Sequence, residues 1–145
     1  MLPLDGIKVM DLSRVLAGPY CGMILADLGA EVIKIERPGT GDDARAYGPF
    51  VNGESAYFIS VNRNKKSVTL NLKKPEGKQI FKDLIKDFDV VVENFRPGTM
   101  ERLGLGYDEL RKINSRLIYA TCTGYGYTGP MKNRPAYDAV IQAMG

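Results

Sequence analysis

Residues 7–36 read IKVMDLSRVLAGPYCGMILADLGAEVIKIE, and the order of patterns within them decides the fold. Ile7 to Leu12 is a short, mostly apolar run that reads as a strand. Ser13 to Pro19 forms a turn. Tyr20 to Leu28 carries helical spacing and meets Gly29, a residue suited to closing a helix in the left-handed conformation. Glu31 to Glu36 then alternates as a second strand. Strand, helix and strand within about 30 residues match the size of a parallel βαβ crossover.

The same rhythm continues along the chain. Strands are expected at 7–12, 31–36, 67–72, 89–93 and 117–123, mostly with helices between them, which predicts a doubly wound α/β domain. In the strand at 67–72, Val68, Leu70 and Leu72 are expected to point inward. Pro75 suits the first turn of a helix whose apolar face is Ile80, Phe81, Leu84, Ile85 and Phe88, with Lys78, Lys82 and Lys86 on a wet face. Tyr57 to Val61 begins either a helix or a strand. Residues 38–57 read as a long loop, with Asp42 and Asp43 solvated. Tyr107 to Ile113 reads as a short helix, and residues 138–145 as the start of another.

Composition narrows the chemistry. The chain has 145 residues, 44% apolar and 26% charged, with a net charge of +3. That balance suits one soluble domain, and its dispersed basic residues do not argue for nucleic acid. No apolar run approaches the length of a membrane span. Cys21 and Cys122 sit in apolar segments and read as reduced, buried thiols of a cytoplasmic protein. The chain has no histidine, which removes Ser-His and Cys-His pairs, histidine metal sites and imidazole bases. No metal set is read.

Candidate binding chemistry gathers where strands end, because loops and helix N-termini converge there in an open α/β sheet. The turn after the first strand lacks the Gly-x-Gly-x-x-Gly fingerprint of dinucleotide-binding domains, so pyrophosphate at that helix is weakly supported. After the second strand, Glu36 would suit a ribose and Arg37 a ribose phosphate or plain solvent. After the fourth, Glu93-Asn94-Phe95-Arg96-Pro97-Gly98 brings an aromatic surface and guanidinium groups together, with Arg102 close behind. This stretch reads either as a site for an anionic, ring-bearing ligand or as an ordinary strand-to-helix loop. Gly124-Tyr125-Gly126-Tyr127-Thr128-Gly129 reads as backbone approaching a ligand closely or as a flexible connector.

Five ordered motifs carry a family resemblance across essentially the whole chain. They are Leu4-Asp5-Gly6-Ile7-Lys8-Val9, Leu16-Ala17-Gly18-Pro19, Asp27 to Glu36, Val92 to Gly98, and Gly124-Tyr125-Gly126. The chain resembles the N-terminal part of the class III CoA-transferases, which include formyl-CoA and carnitine-CoA transferases and are related to the α-methylacyl-CoA racemases. The resemblance implies a Rossmann-like, doubly wound, mostly parallel sheet. It further implies that residues 1–145 form an incomplete CoA-binding domain, with the remainder of the large domain and the small domain absent.

For the site, the resemblance implies that Arg37 meets the phosphorylated ribose of CoA. Leu70, Asn71, Leu72 and Lys73 line the nucleotide; Asn94, Phe95 and Arg96 pack along it; and Arg102 pairs with phosphate. Leu16 and Ala17 also belong to the CoA site, with Leu16 replacing a polar residue found in other members. Tyr137 and Asp138 are implied as accessory groups near the thioester. Asp138 also suits a helix N-terminus on its own account. Coenzyme A or acyl-CoA is implied as substrate, with a carboxylic acid as partner, no tightly bound cofactor, and a homodimer for the full-length enzyme.

In this family an aspartate carboxylate attacks the acyl-CoA and later carries CoA as an aspartyl thioester. None of the ten aspartates here matches that nucleophile. The chain is therefore expected to be an N-terminal fragment, inactive alone. Two alternatives remain at this level. One is a racemase-type isomerase, disfavoured because Tyr137 stands where racemases carry histidine; the other is a non-catalytic CoA- or nucleotide-binding module.

Overall fold

The computed structural model describes residues 1–144. In chain order the elements begin with β1 (Lys8–Asp11), α1 (Ala17–Asp27) and β2 (Glu31–Glu36). A 3-10 turn (Asp43–Ala46) and a small hairpin, β3 (Phe50–Val51) and β4 (Glu54–Ser55), lead into α2 (Ala56–Asn62) and β5 (Lys65–Thr69). Then come α3 (Pro75–Leu84), a 3-10 turn (Ile85–Asp87), β6 (Val90–Glu93), α4 (Thr99–Leu103), α5 (Tyr107–Ile113), β7 (Ile118–Thr121) and α6 (Asp138–Met144).

Five strands form one sheet in the order β5-β2-β1-β6-β7, and all their pairings are parallel. The chain winds outward from β1 through β2 to β5, returns to place β6 on the other side of β1, and continues to β7. That reversal makes the β1/β6 boundary a topological switch point, where the loops after the two strands diverge and leave a crevice.

Both faces of the sheet are covered, because side chains alternate along each strand. Val9, Val32 and Val92 pack with Ala26 of α1 and with Ala30. Met10 and Val91 point the other way and join Phe81, Ile85, Met100, Leu105 and Leu110 in the larger core. Helix α1 lies very close to the sheet. A Cβ on Gly18 would stand 2.2 Å from that of Ser13, and one on Gly22 would stand 2.7 Å from the Asp11 carboxylate. Both helix positions therefore need a residue with no side chain. Gly29, at φ +105°, ends α1 as the sequence predicts.

Several expectations are corrected. Strand β5 is Lys65–Thr69 and not 67–72, and Val68 is exposed. It is an edge strand with one partner, so its outer positions meet solvent; Leu70 and Leu72 lie beyond its end and pack on the core. The core accepts Phe81 of α3 together with Ile85 from the 3-10 turn that follows and Phe88 at that turn's end, while Ile80 and Leu84 are exposed on the flank of α3. The segment 38–57 is not a plain loop. Asp42 caps the 3-10 turn by accepting from the Ala44 N–H at 2.9 Å, and Ser55 caps α2 by accepting from the Phe58 N–H at 3.0 Å. Asp42 is buried, and Asp43 is bonded to two arginines. Cys21 and Cys122 are both exposed free thiols. Cys21 lies on the face of α1 turned away from the buried Gly18, Gly22 and Ala26, and Cys122 follows the end of β7.

Candidate functional site

Each of the three central strands ends in an acid, and all three acids are buried: Asp11 on β1, Glu36 on β2 and Glu93 on β6. Burying a carboxylate is costly unless its oxygens are satisfied. Asp11 Oδ1 accepts from the Ser13 N–H at 2.8 Å, and its Oδ2 pairs with Lys65 Nζ at 2.8 Å. Lys65 also donates to the Pro19 carbonyl at 2.7 Å and to Asn62 Oδ1 at 3.0 Å, which uses all three ammonium protons. Burial pulls the Lys65 pKa down, and the Asp11 charge works against that pull.

Glu36 is equally occupied. Arg45 grips it through two hydrogen bonds of 2.7 Å, the Ser67 hydroxyl donates at 2.6 Å, and the Asp42 N–H donates at 2.9 Å. Burial alone pushes this carboxyl up, but the Arg45, Ser67 and Asp42 bonds outweigh it and bring its pKa down to about 2. Glu36 thus has no capacity left for a ribose hydroxyl; the ribose option read from sequence is corrected. Glu93 has the opposite balance. Burial raises its pKa despite hydrogen bonds from the Phe95 N–H at 2.7 Å and the Tyr127 hydroxyl at 3.0 Å. The same buried surroundings push the Tyr127 and Tyr119 hydroxyls up as well.

With these acids turned inward, a cleft of about 550 Å³ opens over the carboxyl ends of β1, β2 and β5. Its floor is Leu12, Ile35 and the buried Lys34, whose ammonium pairs with Asp42 Oδ2 at 2.8 Å and donates to the Ser13 carbonyl at 2.8 Å. One wall is Leu70 to Lys73, where Asn71 Oδ1 accepts from the Lys73 N–H at 3.0 Å and fixes the turn. The other wall carries Phe95, Thr99, Arg102 and Leu103, and Arg14, Glu36, Arg37 and Asp42 are also among the lining residues. The Arg14 guanidinium lies 5.1 Å from the Phe95 ring centre, within cation–π range.

The structure therefore brings together Arg37, Leu70, Asn71, Leu72, Lys73, Phe95 and Arg102 in one cleft. It places Leu16, Ala17, Asn94 and Arg96 outside that lining. Leu16 and Ala17 are exposed at the start of α1, and Arg96 is exposed. Asn94 has a different task. Its Oδ1 accepts from the Arg14 N–H at 2.8 Å and its Nδ2 donates to the Arg14 carbonyl at 2.7 Å. Val15, next in line, has φ +68° and donates to Asp42 Oδ1 at 3.1 Å. A β-branched residue in that region is strained, so Asn94 and Asp42 act as a brace for the turn that stands in place of a glycine-rich loop. Tyr137 and Asp138 lie at the start of α6, away from the cleft; Tyr137 is exposed, and Asp138 accepts from Gln142 at 2.7 Å.

Sequence reasoning missed Arg14, Lys34 and Asp42. Lys34 had a visible signal: in a strand buried on both faces, an interior lysine must find an anion. Among the described residues, no cluster of three or more Cys, Asp or Glu is placed to hold a metal ion, and no helix is long and apolar enough to cross a membrane.

A positively rimmed cleft with an apolar wall thus lies at the switch point of a parallel sheet, the place where ligands dock in open α/β folds. The family model described as CoA-transferase family III matches residues 4–145, and the chain belongs to that family. It is 57% identical to succinyl-CoA:glutarate CoA-transferase of Mus musculus and 56% identical to acetyl-CoA:oxalate CoA-transferase of Acetobacter aceti. These matches cover 99% and 98% of this chain but 33% and 36% of the relatives, so the chain spans about a third of their length. A crystal structure of a CAIB/BAIF family protein from Brucella suis superposes with a TM-score of 0.94 at 48% identity, covering 99% of this chain and 39% of that one.

Proposed function

We propose that the chain is the CoA-binding part of a CoA-transferase that moves CoA between two carboxylic acids. The observation that carries this reading is the cleft itself, in a chain that belongs to a CoA-transferase family. CoA combines an adenine ring with a ribose 3′-phosphate and a pyrophosphate. Phe95, Leu70 and Leu72 suit the ring, while Arg37, Lys73 and Arg102 suit the phosphates through charge-assisted hydrogen bonds. Asn94 supports the site by bracing Arg14. In the complete protein Leu16 and Ala17 belong to the CoA site, Arg96 packs along the nucleotide, and Tyr137 and Asp138 take an accessory role near the thioester.

In the reaction proposed, an aspartate beyond residue 145 attacks the acyl-CoA carbonyl and expels CoA thiolate. The resulting anhydride is attacked at its aspartyl carbonyl by that thiolate, which releases the first acid and leaves an aspartyl-CoA thioester. The acceptor carboxylate reverses the sequence and leaves with CoA. Residues 1–145 would then be an incomplete domain without transfer activity alone, and the complete enzyme a cytoplasmic homodimer using CoA thioesters as substrates without a resident cofactor. The homologous transferases support this reading.

Two measurements test it. Mass spectrometry of the full-length protein during turnover is expected to find a CoA adduct on an aspartate; an enzyme that transfers CoA with no such adduct would overturn the covalent route. Calorimetry is expected to give tighter binding of CoA than of 3′-dephospho-CoA, and Arg37→Ala is expected to erase about 1 kcal/mol or more of that preference. Equal affinities in the unmodified protein would sink the phosphate assignment.

A further inference from the structure

Asp43 is held between two arginines that come from different strand ends. Its Oδ2 pairs with Arg14 Nη1 at 3.0 Å, from the turn after β1, and its Oδ1 pairs with Arg37 Nη2, from the turn after β2. Arg14 and Arg37 both line the cleft, whereas Asp43 is outside its lining and borders it through these two arginines. The side chains of this trio are 37%, 39% and 50% exposed for Arg14, Asp43 and Arg37. The backbone under Asp43 is firmly held, because the preceding Asp42 is buried against Lys34 and caps the turn. Only the Asp43 side chain is at liberty to leave.

We propose that Asp43 is an internal stand-in for a ligand phosphate: it keeps Arg14 and Arg37 together in the empty cleft and is exchanged for the incoming anion. Arg14 is thereby assigned to the phosphate subsite alongside Arg37. The inference rests on the CoA reading for the identity of that phosphate. Half-exposed ion pairs contribute little each, so the carboxylate is easily given up. A phosphate monoester brings up to two charges and three acceptor oxygens to the same two guanidinium groups, and it wins the exchange. The cost of displacing Asp43 is subtracted from ligand affinity, so Asp43 sets how tightly a phosphate must bind to occupy the cleft.

The test is a titration in which removing a negative charge at the rim improves binding. Asp43→Asn and Asp43→Glu are compared with the unmodified full-length protein, using CoA, 3′-dephospho-CoA and inorganic pyrophosphate at one ionic strength. Asp43→Asn is expected to bind CoA and pyrophosphate about three- to tenfold more tightly, the value of two exposed pairs. It should leave 3′-dephospho-CoA within twofold, and Asp43→Glu should resemble the unmodified protein. Weaker binding by Asp43→Asn with rescue by Asp43→Glu would make Asp43 an organiser of the arginines and overturn the exchange. Unchanged binding of both CoA and pyrophosphate would overturn it as well. If the unmodified protein does not bind CoA, the CoA reading fails, while the pyrophosphate comparison still decides the exchange.

Discussion

Replacing Asp11 with alanine is expected to lower the unfolding free energy by about 3–5 kcal/mol, because it strands an ammonium group inside the protein. The side chains of Lys65 and Asp11 are 2% and 0% exposed, so water cannot replace the lost partner. The Ser13 N–H would lose its acceptor at the same time. Lys65→Met should cost less, since the Asp11 carboxylate keeps the hydrogen bonds that the Ser13 N–H and hydroxyl donate to it. In the double variant the two costs should not add: a coupling of about 1–3 kcal/mol is expected for groups in direct contact. Denaturant unfolding of the four proteins measures it, and additivity would show that the pair is not coupled. The pH dependence has a definite sign. Burial already depresses the Lys65 pKa, and removing Asp11 depresses it further. The unfolded chain then binds the extra proton, so the deficit of Asp11→Ala should shrink as pH rises toward the ordinary lysine range.

Acidification should act on Glu36 in the opposite sense. Its pKa falls from 4.5 to about 2 on folding, so the folded state favours the carboxylate. The associated stability is fully present above the unfolded value and is lost as pH falls from about 5 toward 2. A shift of this size corresponds to roughly 3–4 kcal/mol. Glu36→Gln is expected to be destabilised by about that amount at pH 7 and to converge on the unmodified protein near pH 2. Thermal unfolding followed across this range checks the result. Parallel curves for the two proteins would mean that the Arg45 and Ser67 bonds do not favour the charged form.

Much of the architecture was legible in the sequence because it rests on runs long enough to carry a period. Residues 31–36 and 107–113 have the bounds read from pattern alone, and Gly29 closes α1 as its chemistry requires. What was not legible depends on position in the sheet. Nothing in Lys65-Lys66-Ser67-Val68-Thr69 reveals that it is an edge strand, and only that placement explains why Val68 faces water while Lys65 is buried. The segment 38–57 was misread as a loop because its 3-10 turn and hairpin are too short for periodicity and are held by caps instead.

The site divides along the same line. Arg37, the Leu70–Lys73 turn, Phe95 and Arg102 come after strands, so their convergence follows from topology once the strands are placed. Arg14 and Asp42 belong to the brace around Val15, a contact between segments distant in sequence. Residue types could not reveal that Asn94, read as a wall of the site, spends its amide on the Arg14 backbone.

The inward-turned acids give the cleft a consequence at long range. Asp11, Glu36 and Asp42 are each paired with a cation inside the protein, so they add little field outside it, while Arg14, Arg37, Lys73 and Arg102 line the opening and only the first two are held by a carboxylate, that of Asp43. A chain only modestly basic overall thus presents a locally cationic funnel. Low-dielectric walls focus such a field, and salt screens it within about 10 Å. Ionic strength should therefore govern how fast an anion is captured more than how long it stays.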